Sequence, residues 1–281
     1  MTTGMIIIMV LLGVALGVLL WLAWRLHRQV KKEQQLREET ESSKQQIIIE
    51  QARNRQLKQE MTNNIAHELK TPVSSIRGYL EILLGDKPVD DTQRKYFLER
   101  CYSQTLRLSD LINDVALINK LEEANDLFVK ESENVRERAD EALKELLVNA
   151  EQHHIEIHNE LPEGMMVNGN GMLLYSIFRN LFENAINYAG DNCEVHLECY
   201  KAEDETHYYL HLYDTGKGVS NEYLPKLFDR FLRIDEGRSR KNGGTGLGLS
   251  IVKHAILFHG GDVYAKNRET GGLEFFFSLK K

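Results

Sequence analysis

Ten residues bring three reactive side-chain types together: Asn63-Asn64-Ile65-Ala66-His67-Glu68-Leu69-Lys70-Thr71-Pro72. Apolar residues recur every three or four positions at Met61, Ile65, Leu69, Val73, Ile76, Leu80 and Leu83, which predicts an amphipathic helix. His67 is two positions from both Ile65 and Leu69. At about 100° per residue that puts its ring roughly 200° away, on the face opposite the apolar seam. Thr71, four residues on, shares that face, and Glu68 is adjacent. Pro72 removes a backbone donor and loosens the turn that carries His67. A nucleophile, an acid and a hydroxyl thus sit at a locally bent site. The plain alternative is a surface histidine without a role, and the rest of the chain has to decide.

Four clusters lie downstream. Asn180, Asn184 and Asn187 fall at i, i+4 and i+7 of a predicted helix, with Glu183 among them and Tyr188 next. Asparagine is a poor helix former, so three on one stripe call for a reason beyond a solvated face. Their amide oxygens suit Mg²⁺, which shares its ligands with substrate phosphates. Asp214-Thr215-Gly216-Lys217-Gly218 follows a predicted strand. The carboxylate can accept from an adenine amino group, and Gly216 and Gly218 permit close backbone approach. Taken alone, this string also reads as a plain turn. In Leu227-Phe228-Asp229-Arg230-Phe231-Leu232-Arg233 the aromatics can be simple packing. Arg230 and Arg233 have the geometry to reach a γ-phosphate. Gly243 to Val252 is a glycine-rich stretch opening an apolar helix, where backbone N–H groups cradle phosphate. It is neither a P-loop nor a dinucleotide fingerprint. Residues 232–244 are polar and glycine-containing, as a mobile lid would be.

The elements that must position these residues follow from the pattern. Met5 to Trp24 is twenty residues without a charge, enough for a helix of about 30 Å across a bilayer. Trp21 and Trp24 are placed as interfacial anchors, and Arg25, His27, Arg28, Lys31 and Lys32 mark the cytoplasmic side. The expectation is a single-pass helix over 1–24, N-terminus out, with no extracellular binding domain. A cleaved signal peptide would start basic and be shorter. Gly13 and Gly17 form a GxxxG pattern that carries little weight by itself. Residues 25–60, free of Pro and Gly, predict a helical linker, either solvated or a weak coiled coil. Gly85-Asp86-Lys87-Pro88 breaks the next helix, and Phe97, Cys101, Leu108, Leu111, Ile112, Val115 and Ile118 predict a second. The result is an antiparallel hairpin over 61–125. Its open apolar flank would be covered by dimerising into four helices. Residues 126–281 predict a mixed α+β domain, with strands at 127–130, 153–159, 193–200, 207–213, 262–266 and 273–279. Its helices are expected at 134–150, 171–188, 221–228 and 247–258. The 281 residues carry a net charge of −7, which speaks against a nucleic-acid partner. Three cysteines are too few and too scattered for a disulfide framework or a zinc site.

The order of these signals resembles the membrane-bound sensor histidine kinases of bacterial two-component systems. HELKTP at 67–72 is similar to their phosphoacceptor box and RNLFENAINY at 179–188 to their asparagine box. DTGKGV at 214–219, LFDRF at 227–231 and GTGLGL at 244–249 are similar to the first glycine, aromatic and second glycine boxes. The resemblance covers about residues 61–281. It implies a dimeric hairpin and an α/β-sandwich ATP-binding domain of the histidine kinase, chaperone and topoisomerase type, placed in the bacterial inner membrane by one N-terminal helix. It implies that His67 takes the γ-phosphoryl group of Mg-ATP, with Glu68 holding or accepting the other ring proton, and passes it to an aspartate of a response-regulator receiver domain. Thr71 matches the position used with water to dephosphorylate the regulator. Asn184 matches a Mg²⁺ ligand, Asn180 a phosphate or metal-side contact, Tyr188 the ring on adenine, and Asp214 the adenine amino contact. Gly216, Gly218, Gly244, Gly246 and Gly248 match the lid and phosphate-loop glycines, with Thr245 and Leu247 between them. Many relatives carry a cation where Asn187 stands, and Arg230, Arg233, Arg240 or Lys241 could compensate. An ATPase or chaperone on the same sandwich would need no HELKTP hairpin. A scaffold without catalysis would not need His67, Asn184, Asp214 and the glycines together.

Overall fold

The break at Gly85–Pro88 separates two long helices, α1 (Thr2–Leu84) and α2 (Asp91–Glu123). Asp90 caps the second, accepting from the Gln93 N–H at 2.7 Å. The computed structural model describes residues 2–123, 128–201, 205–234 and 244–281. Side chains at 2–12, 14, 15, 30, 33–43, 54, 57 and 123 lie outside that description as well. The chain divides into two units, Met1–Asn63 and Asn64–Lys281.

In the first unit, α1 presents Leu16, Leu19, Leu20, Trp21, Trp24 and Leu26 exposed. The Arg25 guanidinium lies over the Trp21 ring at 5.2 Å and Arg28 over Trp24 at 5.3 Å. Among the described residues no helix is long and apolar enough to cross a membrane. The expected span Met5–Trp24 has its side chains 5–12, 14 and 15 outside the described set. The side chains at 36, 40, 43, 54 and 57 of the expected linker helix lie outside it as well.

The second unit opens with the hairpin. α1 continues through Pro72 without a break, and Tyr79 stacks on Phe97 of α2 at 5.6 Å. Leu111, Ile118 and Leu121 of α2 are buried, whereas Val73, Leu80, Leu106 and Ile112 are exposed, an uncovered apolar flank.

Beyond the hairpin come β1 (Glu131–Asn134), α3 (Val135–Gln152), β2 (Glu156–Asn159), β3 (Met166–Gly169), α4 (Gly171–Tyr188), β4 (Glu194–Lys201), β5 (His207–Asp214), α5 (Gly248–Phe258), β6 (Val263–Asn267) and β7 (Leu273–Lys280). Five strands form one sheet in the order β2-β4-β5-β7-β6; only the β2–β4 pair is parallel. Alternation dictates its two faces. Val195, Leu197, Leu210, Leu212, Phe275 and Phe277 point into a core shared with Leu174, Ile177, Phe178, Leu181 and Phe182 of α4 and Val252, Ala255 and Ile256 of α5. Their neighbours His196, His211, Tyr213 and Phe276 line the other face, with His196 stacked on Tyr213 at 5.0 Å. Leu121 of α2 joins the same core.

Side-chain caps fix where the helices start. Asn134 accepts from the N–H groups of Arg136 and Glu137 to open α3, and Asn170 accepts from Leu173 N to open α4. The buried His259 ties α5 to that second cap. Its Nδ1–H donates to Ala255 O at 2.7 Å and its Nε2 accepts from Asn170 N at 3.0 Å. The bond accepted by Nε2 requires the neutral ring, and burial holds its pKa below the usual histidine value.

Three expectations need correction. Residues 128–130 are irregular and the strand is β1, four residues later than expected, paired antiparallel with β3. Met166-Val167-Asn168-Gly169 was missed because Asn and Gly gave it the composition of a turn. The helix expected at 221–228 is only a 3₁₀ turn over Leu224–Lys226, since Pro225 lacks the N–H an interior helical position needs. Residue 127 and the lid positions 235–243, including Arg240 and Lys241, lie outside the described residues.

Candidate active site

The His67 side chain is 72 % exposed, on the face the spacing assigned to it. Its Nδ1 lies 3.9 Å from Glu68 Oε1. Pro72 leaves the Glu68 carbonyl without its helical donor. Thr71 Oγ1 donates to His67 O at 3.3 Å, so this hydroxyl folds back on the helix backbone. Two guanidinium groups meet the Glu68 carboxylate. Arg107 of α2 donates from Nη2 to Oε2 at 3.3 Å, and Arg233 donates from Nη1 to both oxygens at 3.3 Å. A cleft of about 480 Å³ opens here, lined by Asn64, His67, Glu68, Thr71 and Arg107 on one side and residues 229–233 on the other.

Further polar contacts join α2 to the glycine-rich segment. Thr245 Oγ1 donates to Asp114 Oδ2 at 2.8 Å and accepts from Leu247 N at 3.2 Å. Arg233 also donates to Gly244 O, and Arg230 pairs with Glu122. Burial pushes the Asp114 carboxyl up to about 6, against the opposing pull of the Thr245 hydrogen bond and Arg179. Glu183 is raised as well, first by burial, with Arg179 opposing and Asp110 adding to it.

The second set of residues gathers where α4 meets α5 and β5. Asn180 Nδ2 donates to Ser176 O at 2.8 Å. A Cβ at Gly248 would fall 2.5 Å from Asn180 Oδ1, so the start of α5 packs directly on this amide. Asn184 is half-buried one turn later, with no hydrogen-bond partner for its side chain among the described residues. Two amide oxygens on one helix face, neither accepting a hydrogen bond among the described residues, fit a hard cation such as Mg²⁺. Asn187 is half-buried, and Tyr188 is exposed, its hydroxyl 3.1 Å from where a Gly244 Cβ would sit. Asp214 is 4 % exposed. Its Oδ1 accepts from Gly216 N at 2.8 Å, and burial raises its pKa. Glycine is required around it. A Cβ at Gly216 would meet Ala189 O at 2.3 Å and one at Gly272 would meet Asp214 O at 1.9 Å, while Gly218 has φ +68°. Gly246, with φ +73°, accepts through its carbonyl from Phe231 N at 2.8 Å.

The structure therefore brings His67 and Glu68 together with Arg233, and separately Asn180 with Gly248 and Asp214 with Gly216. Asn180, Asn184, Asn187 and Asp214 do not line the His67 cleft. Arg107, Asp114 and Glu122 were not foreseen, because a charge on a helix reads as solvated until the fold supplies its partner.

Comparison with known proteins agrees with this arrangement. Residues 57–124 match the model of the His Kinase A (phospho-acceptor) domain. Residues 169–281 match that of the histidine kinase-, DNA gyrase B- and HSP90-like ATPase. Together the two cover more than half of the chain. The phosphate regulon sensor protein PhoR of Haemophilus influenzae is 31 % identical over 230 residues, 80 % of this chain and 52 % of the relative. The sensor-like histidine kinase SenX3 of Mycolicibacterium smegmatis is 32 % identical over 82 % of this chain and 59 % of its own length. The chain thus spans about half the length of the curated relatives it matches. Among solved structures, the Acinetobacter baumannii histidine kinase AdeS shares the fold with a TM-score of 0.61 at 22 % identity, over 76 % of this chain and 97 % of that one. Histidine kinase ThkA, solved in complex with response regulator protein TrrA, shares it at 0.61 and 24 % identity, over 79 % of this chain and 61 % of that one. With a phospho-acceptor hairpin preceding an ATPase sandwich in one polypeptide, the chain belongs to the sensor histidine kinases of two-component systems.

Proposed function

We propose that this chain moves the γ-phosphoryl group of ATP onto His67 and then onto an aspartate of a response-regulator receiver domain. The observation that carries this is the exposed His67 ring, backed by Glu68, in one cleft with Arg230 and Arg233 of the ATPase side. With Nδ1 toward Glu68, Nε2 is the free nucleophile. Nε2 forms the bond to the γ-phosphorus, the bond to the bridging β-phosphate oxygen breaks, ADP departs with that electron pair, and the Nδ1 proton passes to Glu68. Arg233, on leaving Glu68, and Arg230 offer positive charge to the transferring group. Asn184 and Asn180 would hold Mg²⁺, which offsets phosphate charge when bound. Asp214 meets the adenine amino group and Tyr188 its ring. Gly216, Gly218, Gly244, Thr245, Gly246, Leu247 and Gly248 surround the nucleotide, with Asn187 beside the phosphates. Thr71 would orient water for dephosphorylation of the regulator once its hydroxyl leaves the helix backbone.

The segments divide as 1–24 membrane helix, 25–60 linker, 61–125 phosphoacceptor hairpin and 126–281 ATP-binding domain. The exposed flank of Val73, Leu80 and Ile112 supports a homodimer. The uncharged run to Trp24, with Trp21 and Trp24 under Arg25 and Arg28, supports a single-pass inner-membrane anchor with the kinase domains in the cytoplasm. ThkA was solved with TrrA, and a receiver domain of that kind is the partner expected here.

Incubating the purified full chain with γ-labelled ATP and Mg²⁺ tests the kinase step. Label that resists alkali, is lost in acid and passes to a receiver domain is expected. ATP binding without any label on the protein would overturn the reading.

A further inference from the structure

A glutamate next to a helical histidine does not hold itself in place. Its three side-chain torsions leave it many rotamers, and one residue along a helix turns about 100° away from its neighbour. Yet Glu68 is only 17 % exposed while His67 is 72 % exposed. Two guanidinium groups hold it down, and they differ in kind. Arg233 lies within the stretch matching the ATPase model, pairs with both oxygens and also donates to Gly244 O. Arg107 lies on α2, within the same phospho-acceptor match as Glu68 itself. It is 14 % exposed and reaches 39 residues back along the chain to a single oxygen, Oε2. That leaves Oε1 as the oxygen nearest His67 Nδ1.

We propose that Arg107 is a positioning residue, holding the Glu68 carboxylate beside His67 from the other helix of the hairpin. The division of the two oxygens carries the inference: Oε2 is anchored to a cation that stays with the hairpin, and Oε1, 3.9 Å from the ring, is shared only with Arg233 among the described residues. Arg233 is needed elsewhere when a nucleotide brings its phosphates, and its departure would release an otherwise unsupported side chain. Arg107 supplies the support that does not move. Because one cation remains on one carboxylate, Oε1 keeps lone pairs for the imidazole N–H. A staple that merely ties the two helices together is the competing role, and it would act regardless of what residue 68 does.

This role presupposes the kinase reading above. Its test is a double-mutant cycle on the full chain, with initial autophosphorylation rates measured for wild type, R107Q, E68Q and the double variant across ATP concentrations, alongside R107K. Expected is a roughly tenfold loss of kcat in R107Q with KM for ATP unchanged within about twofold. No further loss is expected from R107Q in the E68Q background, and R107K should recover part of the rate. An equal loss from R107Q with or without Glu68, or no loss at all, would overturn it. Should R107Q fail to bind a fluorescent nucleotide, R107K decides. A kcat deficit that disappears in the E68Q background supports the role; a deficit that persists there, or none, refutes it. Absence of acid-labile label in wild type would refute the kinase reading itself, whereas equal label in wild type and R107Q refutes only Arg107.

Discussion

The Asp214 corner and the His67 turn each present a polar group for chemistry, and they are held in opposite ways. Asp214 is almost wholly buried, fixed by the Gly216 N–H and by glycine backbones so close that no side chain fits between. His67 stands in solvent, and ion pairs from other elements hold the Glu68 beside it. A group that recognises one rigid ligand gains from preorganisation in a packed core, where its geometry costs nothing at the moment of binding. A group that must meet a nucleotide and then a partner protein has to remain accessible, so its alignment is left to polar contacts that can exchange. Asp114 and Thr245 sit at the seam between the two regimes.

Breaking each region separately sharpens the contrast. His67→Gln should take acid-labile label to background while nucleotide binding, measured by fluorescence titration, stays as in the wild type. Gly272→Ala should destabilise the ATPase side by about 4 kcal/mol, seen as a lower denaturation midpoint, because its Cβ would collide with the Asp214 carbonyl at a positive φ. Asp114→Asn should act the other way. Its carboxyl titrates near 6 in the folded chain instead of 3.8, so its stability contribution is complete below about pH 4 and is lost as pH rises through about 6. At pH 7 the neutral amide should therefore stabilise by up to about 3 kcal/mol, with the gain vanishing in melts at pH 4. Asp214→Ala should weaken ATP binding about 10- to 100-fold, by calorimetry, with no change in the exposure of His67 to chemical modification. The smallest effect concerns His259. Its depressed pKa means its contribution is present above the ordinary histidine value and is lost as pH falls through the folded one. His259→Gln should flatten the mildly acidic part of the wild-type stability curve.

Much of the molecule was legible from spacing. The i, i+4 seam around His67 foretold its exposed face, and alternation located β4, β5 and β7 to within a residue or so. Glycines marked Gly216 and Gly248 because close approach leaves a compositional trace. Arg107, Asp114 and Glu122 left none. Each is an ordinary charge when read in sequence, yet it falls on the same stripe of α2 as the buried Leu111, Ile118 and Leu121 and is given meaning only by residues far away in sequence. β3 was hidden for a related reason: four residues ending in Asn-Gly acquire strand character only from pairing with β1.

The arrangement of His67 and Glu68 makes one demand that a single measurement reads. With Nδ1 turned toward Glu68, phosphorylation must fall on Nε2 of His67 and nowhere else. ³¹P and ¹⁵N NMR of the full chain after reaction with Mg-ATP should give one phosphohistidine signal, of the Nε2 isomer, absent in His67→Gln. A signal from the Nδ1 isomer, or phosphate on another residue while His67 stays unmodified, would contradict it.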